Sequence, residues 1–445
     1  MDTLAKITSR DARSTNALSP LAILLGSTAL IVTSASVLAS EAYLQEHTAP
    51  ESATSASPAF TTLQLPVDFP LLHPSFTFNW RSYGLGDDAD QATDEHTWAT
   101  GGRLGVTFPE WHDWLSVGAA AYGSFPVEDS DNDPNRTQLV APNGGHLLVG
   151  GESYINARDG NFNLRLFRQL LDSPYLNDQD NRMIPNVFEA YTLAYRSEAL
   201  YAGFGYVSRV KLRNSDDYVS MAEAAGASGN SGVIAGGARW KANDSLSGEA
   251  FMLYNTDVFS TSYFATDYDT RFTPDTDLRL SAQFTSQRSV GDQRLGDVDT
   301  HSLGLKASFG YQRAVFTLAG TTTGDGAGIR SPFGQRPSYL SLMLFNFDRA
   351  DEDAWLAGVS YRLDELGLPS CSFVVNYAEG AGAHDPTTHA ALNDARETDL
   401  TLDYRPKSGT LEGLWLRLRY AEGRLGSQDM SQWRVTFNYE LKRGQ

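Results

Sequence analysis

Gln432-Trp433-Arg434-Val435-Thr436-Phe437-Asn438-Tyr439-Glu440 is the stretch that decides the fold. Trp433, Val435, Phe437 and Tyr439 share one parity, and Gln432, Arg434, Thr436, Asn438 and Glu440 share the other. Side chains alternate across a β-strand, so one face is apolar and aromatic and the other polar or charged. A soluble sandwich seldom lines its core side so consistently with large apolar groups while carrying charge opposite. A transmembrane barrel does, because lipid lies outside it and water inside.

The same alternation recurs along the chain. Phe76, Phe78 and Trp80 oppose Thr77, Asn79 and Arg81. Leu278, Leu280 and Phe284 oppose Asp277, Arg279, Ser281 and Gln283. Leu416, Leu418 and Tyr420 oppose Trp415, Arg417 and Arg419. Connections between such segments alternate short and long. Residues 109–114, 157–160, 197–199, 241–245 and 364–369 read as short turns. Residues 82–101, 125–145, 169–186, 210–230, 322–353 and 379–397 read as long loops. Short periplasmic turns and long outer loops are the signature of an outer-membrane barrel. Keeping that alternation consistent requires a strand at 257–272, where the pattern is weak, and places 339–347 inside a long outer loop. The expected architecture is all-β: an antiparallel transmembrane barrel of about 18 strands.

Composition agrees. The chain has 445 residues, of which 41% are hydrophobic. Its mean hydropathy is −0.33, which excludes a bundle of membrane helices. The one long apolar stretch, 21–32, follows Lys6, Arg10 and Arg13 and precedes small residues up to Ser40. Basic start, apolar middle and small residues at the cut describe a secretory signal over 1–39. Residues 40–69, rich in Ala, Ser, Thr and Pro, read as a flexible leader, and 70–445 as the barrel. A net charge of −19 argues against nucleic acid, whose phosphates demand a basic face. Much of the acid lies in two runs, 87–95 and 128–133, expected to be solvated loops. Cys371 is the only cysteine. Disulfides within one chain and cysteine-rich metal sites are therefore excluded, and neither metal nor cofactor is expected. The eight histidines are scattered, and no hydrolase motif accompanies them. A barrel enzyme or a plugged adhesin is the remote alternative to a pore.

Several strings are similar to the OprD family of outer-membrane porins. Asp180-Asn181-Arg182-Met183-Ile184-Pro185-Asn186 resembles the end of that family's constriction loop. Further likeness lies in Arg213-Asn214-Ser215-Asp216-Asp217-Tyr218, Gln287-Arg288-Ser289-Val290-Gly291-Asp292, Gly324-Asp325-Gly326, Thr398 to Tyr404 and Gly413 to Arg419. The resemblance runs from about residue 75 onward. It implies an 18-stranded pore in the outer membrane of a Gram-negative bacterium, monomeric or homotrimeric. It implies passive, selective diffusion of small carboxylate-bearing solutes, or, in the alternative, of sugars or oligosaccharides. The implied partners are those solutes, outer-membrane lipid with lipopolysaccharide, and the barrel-assembly machinery. The third outer loop is then the constriction, carrying Asp172, Asp178, Asp180 and Arg182. The seventh forms an opposing wall with Asp325 and Asp348. Parity adds a set of inward arginines: Arg81, Arg103, Arg165, Arg196, Arg239, Arg279, Arg362, Arg417, Arg419 and Arg434. Each guanidinium stays charged and offers a planar fork to a carboxylate. Either these arginines guide anions or they brace the wall by pairing with lumen acids such as Asp277, Asp399 and Asp403. Arg168 shares parity with lipid-facing Leu164 and Leu166, so a bulge or the strand end is expected to turn it inward.

Overall fold

The computed structural model describes residues 62–64, 74–90, 94–129 and 134–441. The signal over 1–39 and nearly all of the leader lie outside these residues. Within the leader range, Thr62–Gln64 lies antiparallel to Ser75–Thr77.

One sheet of 20 strands contains almost every strand. Setting aside the three-residue strands Thr62–Gln64 and Tyr218–Ser220 leaves 18 staves. In chain order they begin with β1 (Ser75–Ala89), β2 (Glu95–Thr107), β3 (Leu115–Asp129), β4 (Leu147–Asp159), β5 (Phe162–Gln169) and β6 (Val187–Arg196). Then come β7 (Leu200–Lys211), β8 (Val233–Lys241), β9 (Leu246–Asn255), β10 (Phe259–Thr273), β11 (Thr276–Ser289) and β12 (Asp299–Tyr311). The last are β13 (Ala314–Thr323), β14 (Asp353–Arg362), β15 (Cys371–Ala381), β16 (Ala395–Tyr404), β17 (Leu414–Leu425) and β18 (Gln428–Glu440). Each pairs antiparallel with its neighbour, and β1 pairs with β18 through Trp80↔Tyr439 and Tyr83↔Thr436. Closure leaves no free edge, the condition for crossing lipid with strands.

The two faces separate as the alternation requires. On β18, Gln432, Arg434, Thr436 and Asn438 are buried while Trp433 is exposed. On β11, Ser281, Gln283, Thr285 and Gln287 are buried while Leu280 and Phe284 face out. Trp111 and Trp114, at the turn between β2 and β3, are also exposed, as an interfacial aromatic girdle requires. The turns at this end are tight. Between β4 and β5, Gly160 sits at φ +53, a left-handed conformation that glycine adopts without steric cost.

Strands at the other end run further than the apolar pattern indicates. β1 reaches Ala89 and β2 starts at Glu95, so most of 82–101 is strand, and Glu95 is buried. Likewise β3 runs to Asp129, β15 to Ala381, and β16 starts at Ala395. The physical reason is that a ladder is held by backbone hydrogen bonds and can outrun the stretch that lipid patterns. The expected strand over 257–272 is present as β10, and 339–347 lies in a loop.

An 18-stave barrel is too wide for wall side chains alone to fill. Its upper half is instead packed by inturned loops. Tyr175, Leu176 and Phe333 from two loops join Phe188, Phe259 and Tyr263 of the wall in one apolar cluster. Met183, Ile184, Leu139 and Val140 join Tyr83, Leu85 and Tyr122 in a second. Tyr339, Leu340 and Phe347 join Leu356 in a third.

Candidate functional site: the eyelet and its charges

The connection 170–186 leaves the wall at Gln169, whose buried side chain seals the breach. Its Nε2 donates to Ala190 O at 3.0 Å, and its Oε1 accepts from the Thr192 hydroxyl at 3.0 Å. A small hairpin follows, Asp172–Ser173 against Leu176–Asn177. Tyr175, at its tip with φ +60, forms a 2.8 Å hydroxyl–hydroxyl bond with Thr285 of β11. The hairpin therefore spans the lumen from β5 to β11. The chain then returns along β1. Asp180 takes two hydrogen bonds from Arg81, at 2.6 and 2.9 Å, and Arg81 also donates to Arg182 O at 2.5 Å. Arg182 Nε donates to Thr137 O at 2.9 Å.

The second inturned loop, 324–352, is fastened to the wall at several places, two of them by the side chains of Gln287 and Glu397. Arg330 exchanges two hydrogen bonds with the side chain of Gln287, both 2.8 Å. Further along, Met343, Leu344 and Phe345 present three successive N–H groups to the carboxylate of Glu397, each at 2.8 Å. Arg434 donates to Met343 O at 3.0 Å. Gly423 leaves room for this segment: a Cβ would come within 2.6 Å of Leu344 Cδ1. Asp348 forms an ion pair with Arg336, and Asp325 is exposed on its turn.

The arginines divide into two groups. Arg81 faces Asp180, Arg103 faces Glu152 at 2.8 Å, and Arg239 faces Glu249 at 2.5 Å and Asp172 at 3.4 Å. Arg279 faces Asp269 at 2.6 Å, Arg417 faces Asp403 at 2.9 Å, and Arg419 lies 3.5 Å from Asp399. The others are held by neutral groups. Arg165 donates to Asn156 Oδ1 at 3.2 Å and lies 4.4 Å over the Tyr154 ring. Arg196 lies 5.2 Å over Tyr201. Arg434 donates to Gln432 Oε1 at 2.6 Å. Arg362 Nε is buried without a hydrogen-bond partner among the described residues.

Basic groups crowd together where the constriction loop returns to the wall. Arg182, from the constriction loop, and Arg213, from the next loop, share the surroundings of buried Tyr83 with Arg434. Arg213 donates to Gln138 Oε1 at 2.6 Å and to Asn181 Oδ1 at 2.5 Å. Burial, with Arg213 and Arg419 nearby, pushes Arg182 down to about 10, and burial with Arg434 nearby does the same to Arg213. Like charges held together in a poorly solvated place favour the neutral form. Acidic residues lie beside these basic groups on the same returning segment, with Asp180 bound to Arg81 next to Arg182. Burial and the carboxylates of Asp180 and Asp172 push Asp178 up to about 8. On the turn-bearing side lies a cavity of about 670 Å³, lined by Arg165, Arg196, Arg239, Asp172 and Glu249 among others.

Sequence reasoning missed Glu397, Gln287, Glu249 and Asp269, although lumen parity was there to reveal each. Asn177, Arg213 and Arg336 carry no periodic signal. The expected inward turn of Arg168 is corrected. Arg168 keeps its register opposite Glu189, donating to it at 3.1 Å. Phe167, at φ +77, is the residue that departs, its exposed ring meeting lipid-facing Tyr191 edge-on. A left-handed residue in mid-strand breaks the two-residue period that the sequence reading assumed.

Residues 150–443 match the family model described as outer membrane porin, OprD family. Porin D of Pseudomonas aeruginosa is 25% identical over 235 residues, 46% of this chain and 52% of that protein. The chain thus spans about half the length of that curated relative. Among solved structures, Pseudomonas aeruginosa OpdK with vanillate superposes with a TM-score of 0.73 at 22% identity, covering 83% of this chain and 98% of that one. Acinetobacter baumannii OccAB1 gives 0.74 at 17% identity, covering 85% and 99%.

Proposed function

The chain belongs to the OprD family of outer-membrane porins, and from that membership we propose that it passes small carboxylate-bearing solutes, such as amino acids and aromatic or other organic acids, by passive diffusion. It is a channel and not an enzyme, and its place is the Gram-negative outer membrane. The observation that carries the solute class is the unequal pairing of the arginines. Arg165, Arg182, Arg213 and Arg434 are held by carbonyls, amides and aromatic faces, so their charge is left for a passing anion. Arg81, Arg103, Arg239, Arg279, Arg417 and Arg419 face carboxylates and brace the wall.

Asp180, which is paired with Arg81, and Asp178 lie on the same returning segment as Arg182, so the guanidinium groups that face no carboxylate leave a positive field there. A narrow aqueous passage between low-dielectric walls focuses such a field. A solute with a carboxylate at one end and a neutral or cationic group at the other aligns with it. The similar channel OpdK was solved with vanillate, an aromatic carboxylate, which supports the same class here. Swelling of protein-containing liposomes in a panel of amino acids, aromatic acids and neutral sugars of matched size tests the reading. Faster swelling in carboxylates is expected, with a smaller margin at high salt. Equal rates for acids and neutral sugars would overturn it.

A further inference from the structure

The two inturned loops meet each other inside the barrel. Asn177 ends the hairpin of the first, and its side chain reaches 333–335 of the second. Its Oδ1 accepts from Gln335 N at 2.8 Å, and its Nδ2 donates to Gln335 O at 2.9 Å and to Ser173 O at 3.0 Å. Its backbone N–H donates to Phe333 O at 3.2 Å, and Leu176 forms a parallel bridge with Phe333. A side-chain amide spaces donor and acceptor as a peptide does, so Asn177 pairs with Gln335 as one further strand residue would.

The far side of this joint is built to fit. Gly334 has φ +151, and a Cβ there would lie 2.5 Å from Asn177 Oδ1. Any other residue is thus disfavoured twice, by backbone and by contact. Phe333 is fully buried and stacks on Phe259 of β10 at 6.1 Å between centroids. At the other end of this short segment, buried Gln287 makes the same two-bond exchange with Arg330. Wall, second loop and first loop are therefore linked in series by two side-chain amides, and Tyr175 closes the circuit back to the wall through Thr285.

We infer that Asn177 is a positioning residue: it joins the two loops into one rigid body, and the width of the eyelet is set by this joint and not by either loop alone. Size selection then needs no loop movement. The inference rests on the reading of the eyelet as the solute's path, but not on which solute passes.

The test uses the full-length protein in bilayers and in detergent. Asn177→Ala removes every side-chain bond of the joint, Asn177→Asp keeps the acceptor and loses the donor, and Gly334→Ala disturbs the same contact from the opposite loop. Gln335→Ala is the control, because Gln335 takes part through its backbone only. For Asn177→Ala and Gly334→Ala we expect noisier open-channel current and a higher size cut-off for neutral solutes, with the unheated gel mobility of a folded barrel retained. Asn177→Asp is expected to fall between, and Gln335→Ala to match the parent. Hydrogen exchange of the segment 333–336, read by mass spectrometry, should quicken about tenfold or more in Asn177→Ala. That readout stays valid whatever the solute proves to be, so a mistaken solute class and a mistaken joint are distinguishable. Parental noise and cut-off in folded Asn177→Ala and Gly334→Ala would overturn the inference. So would faster exchange without any change in current or cut-off, since the joint would then exist without setting the aperture.

Discussion

At the scale of single residues, what separates one lumen arginine from another is its company. Arg279 lies opposite Asp269 in the β10–β11 register, and Arg417 lies opposite Asp403 in the β16–β17 register. Arg434 and Arg165 meet amides instead. Arg434→Gln and Arg165→Gln should therefore slow uptake of small carboxylates by an amount equivalent to about 1–3 kcal/mol, the worth of a charge-assisted hydrogen bond. Arg279→Gln should leave uptake nearly unchanged. Liposome swelling of the three variants beside the parent decides this, and equal slowing in all three would count against the division. Asp178 offers a second measurement. Its folded value, about 8, stands above the ordinary 3.8, so the neutral carboxyl is the form the loop favours. Its stabilising contribution is full below the ordinary value and is lost as pH climbs through about 8. Above that, a further negative charge appears beside Asp180. The reversal potential across a salt gradient should shift toward cation preference between about pH 6 and about pH 9, and Asp178→Asn should abolish the shift. The sequence made the inward face of Arg279 and Arg417 legible, because parity depends only on position within a strand. It left their partners hidden, because a partner is chosen by the register between strands, which no single strand encodes.

At the scale of elements, the inturned loops obey different physics from the staves. A stave is written in alternation because lipid and water reward opposite faces. A loop packed in the lumen is rewarded only where it touches something, and so carries no period. Its course was legible only through its resemblance to a known family, and its attachments not at all. The attachment at Glu397 can be tested directly. Glu397→Ala leaves the N–H groups of Met343, Leu344 and Phe345 without their acceptor, at a cost of about 1–3 kcal/mol for each that stays buried. The segment should leave the wall and take water instead. Single-channel conductance should rise, and the barrel should keep its folded gel mobility. Unchanged conductance would mean that Arg434 and the packing around Gly423 suffice to hold it.

At the scale of the whole molecule, the closed ladder predicts resistance to detergent. Every stave has a neighbour on both sides, so unfolding cannot begin by peeling an edge. Unheated and boiled samples should migrate differently in a denaturing gel, with far-ultraviolet circular dichroism dominated by strand. Identical migration would contradict the closed barrel. The seam between β1 and β18 also governs how the molecule comes into being. Asn79 donates to Asn438, 359 residues later, so the first stave finds its second neighbour only after the last one exists. Local hairpins can form early, but the longest-range pairing must be made at the end. Throughout synthesis and export the chain therefore carries two raw edges, each a template for pairing with another chain. A copy that stops short of Gln428 would carry them permanently, and its fate would be aggregation, not a leakier pore.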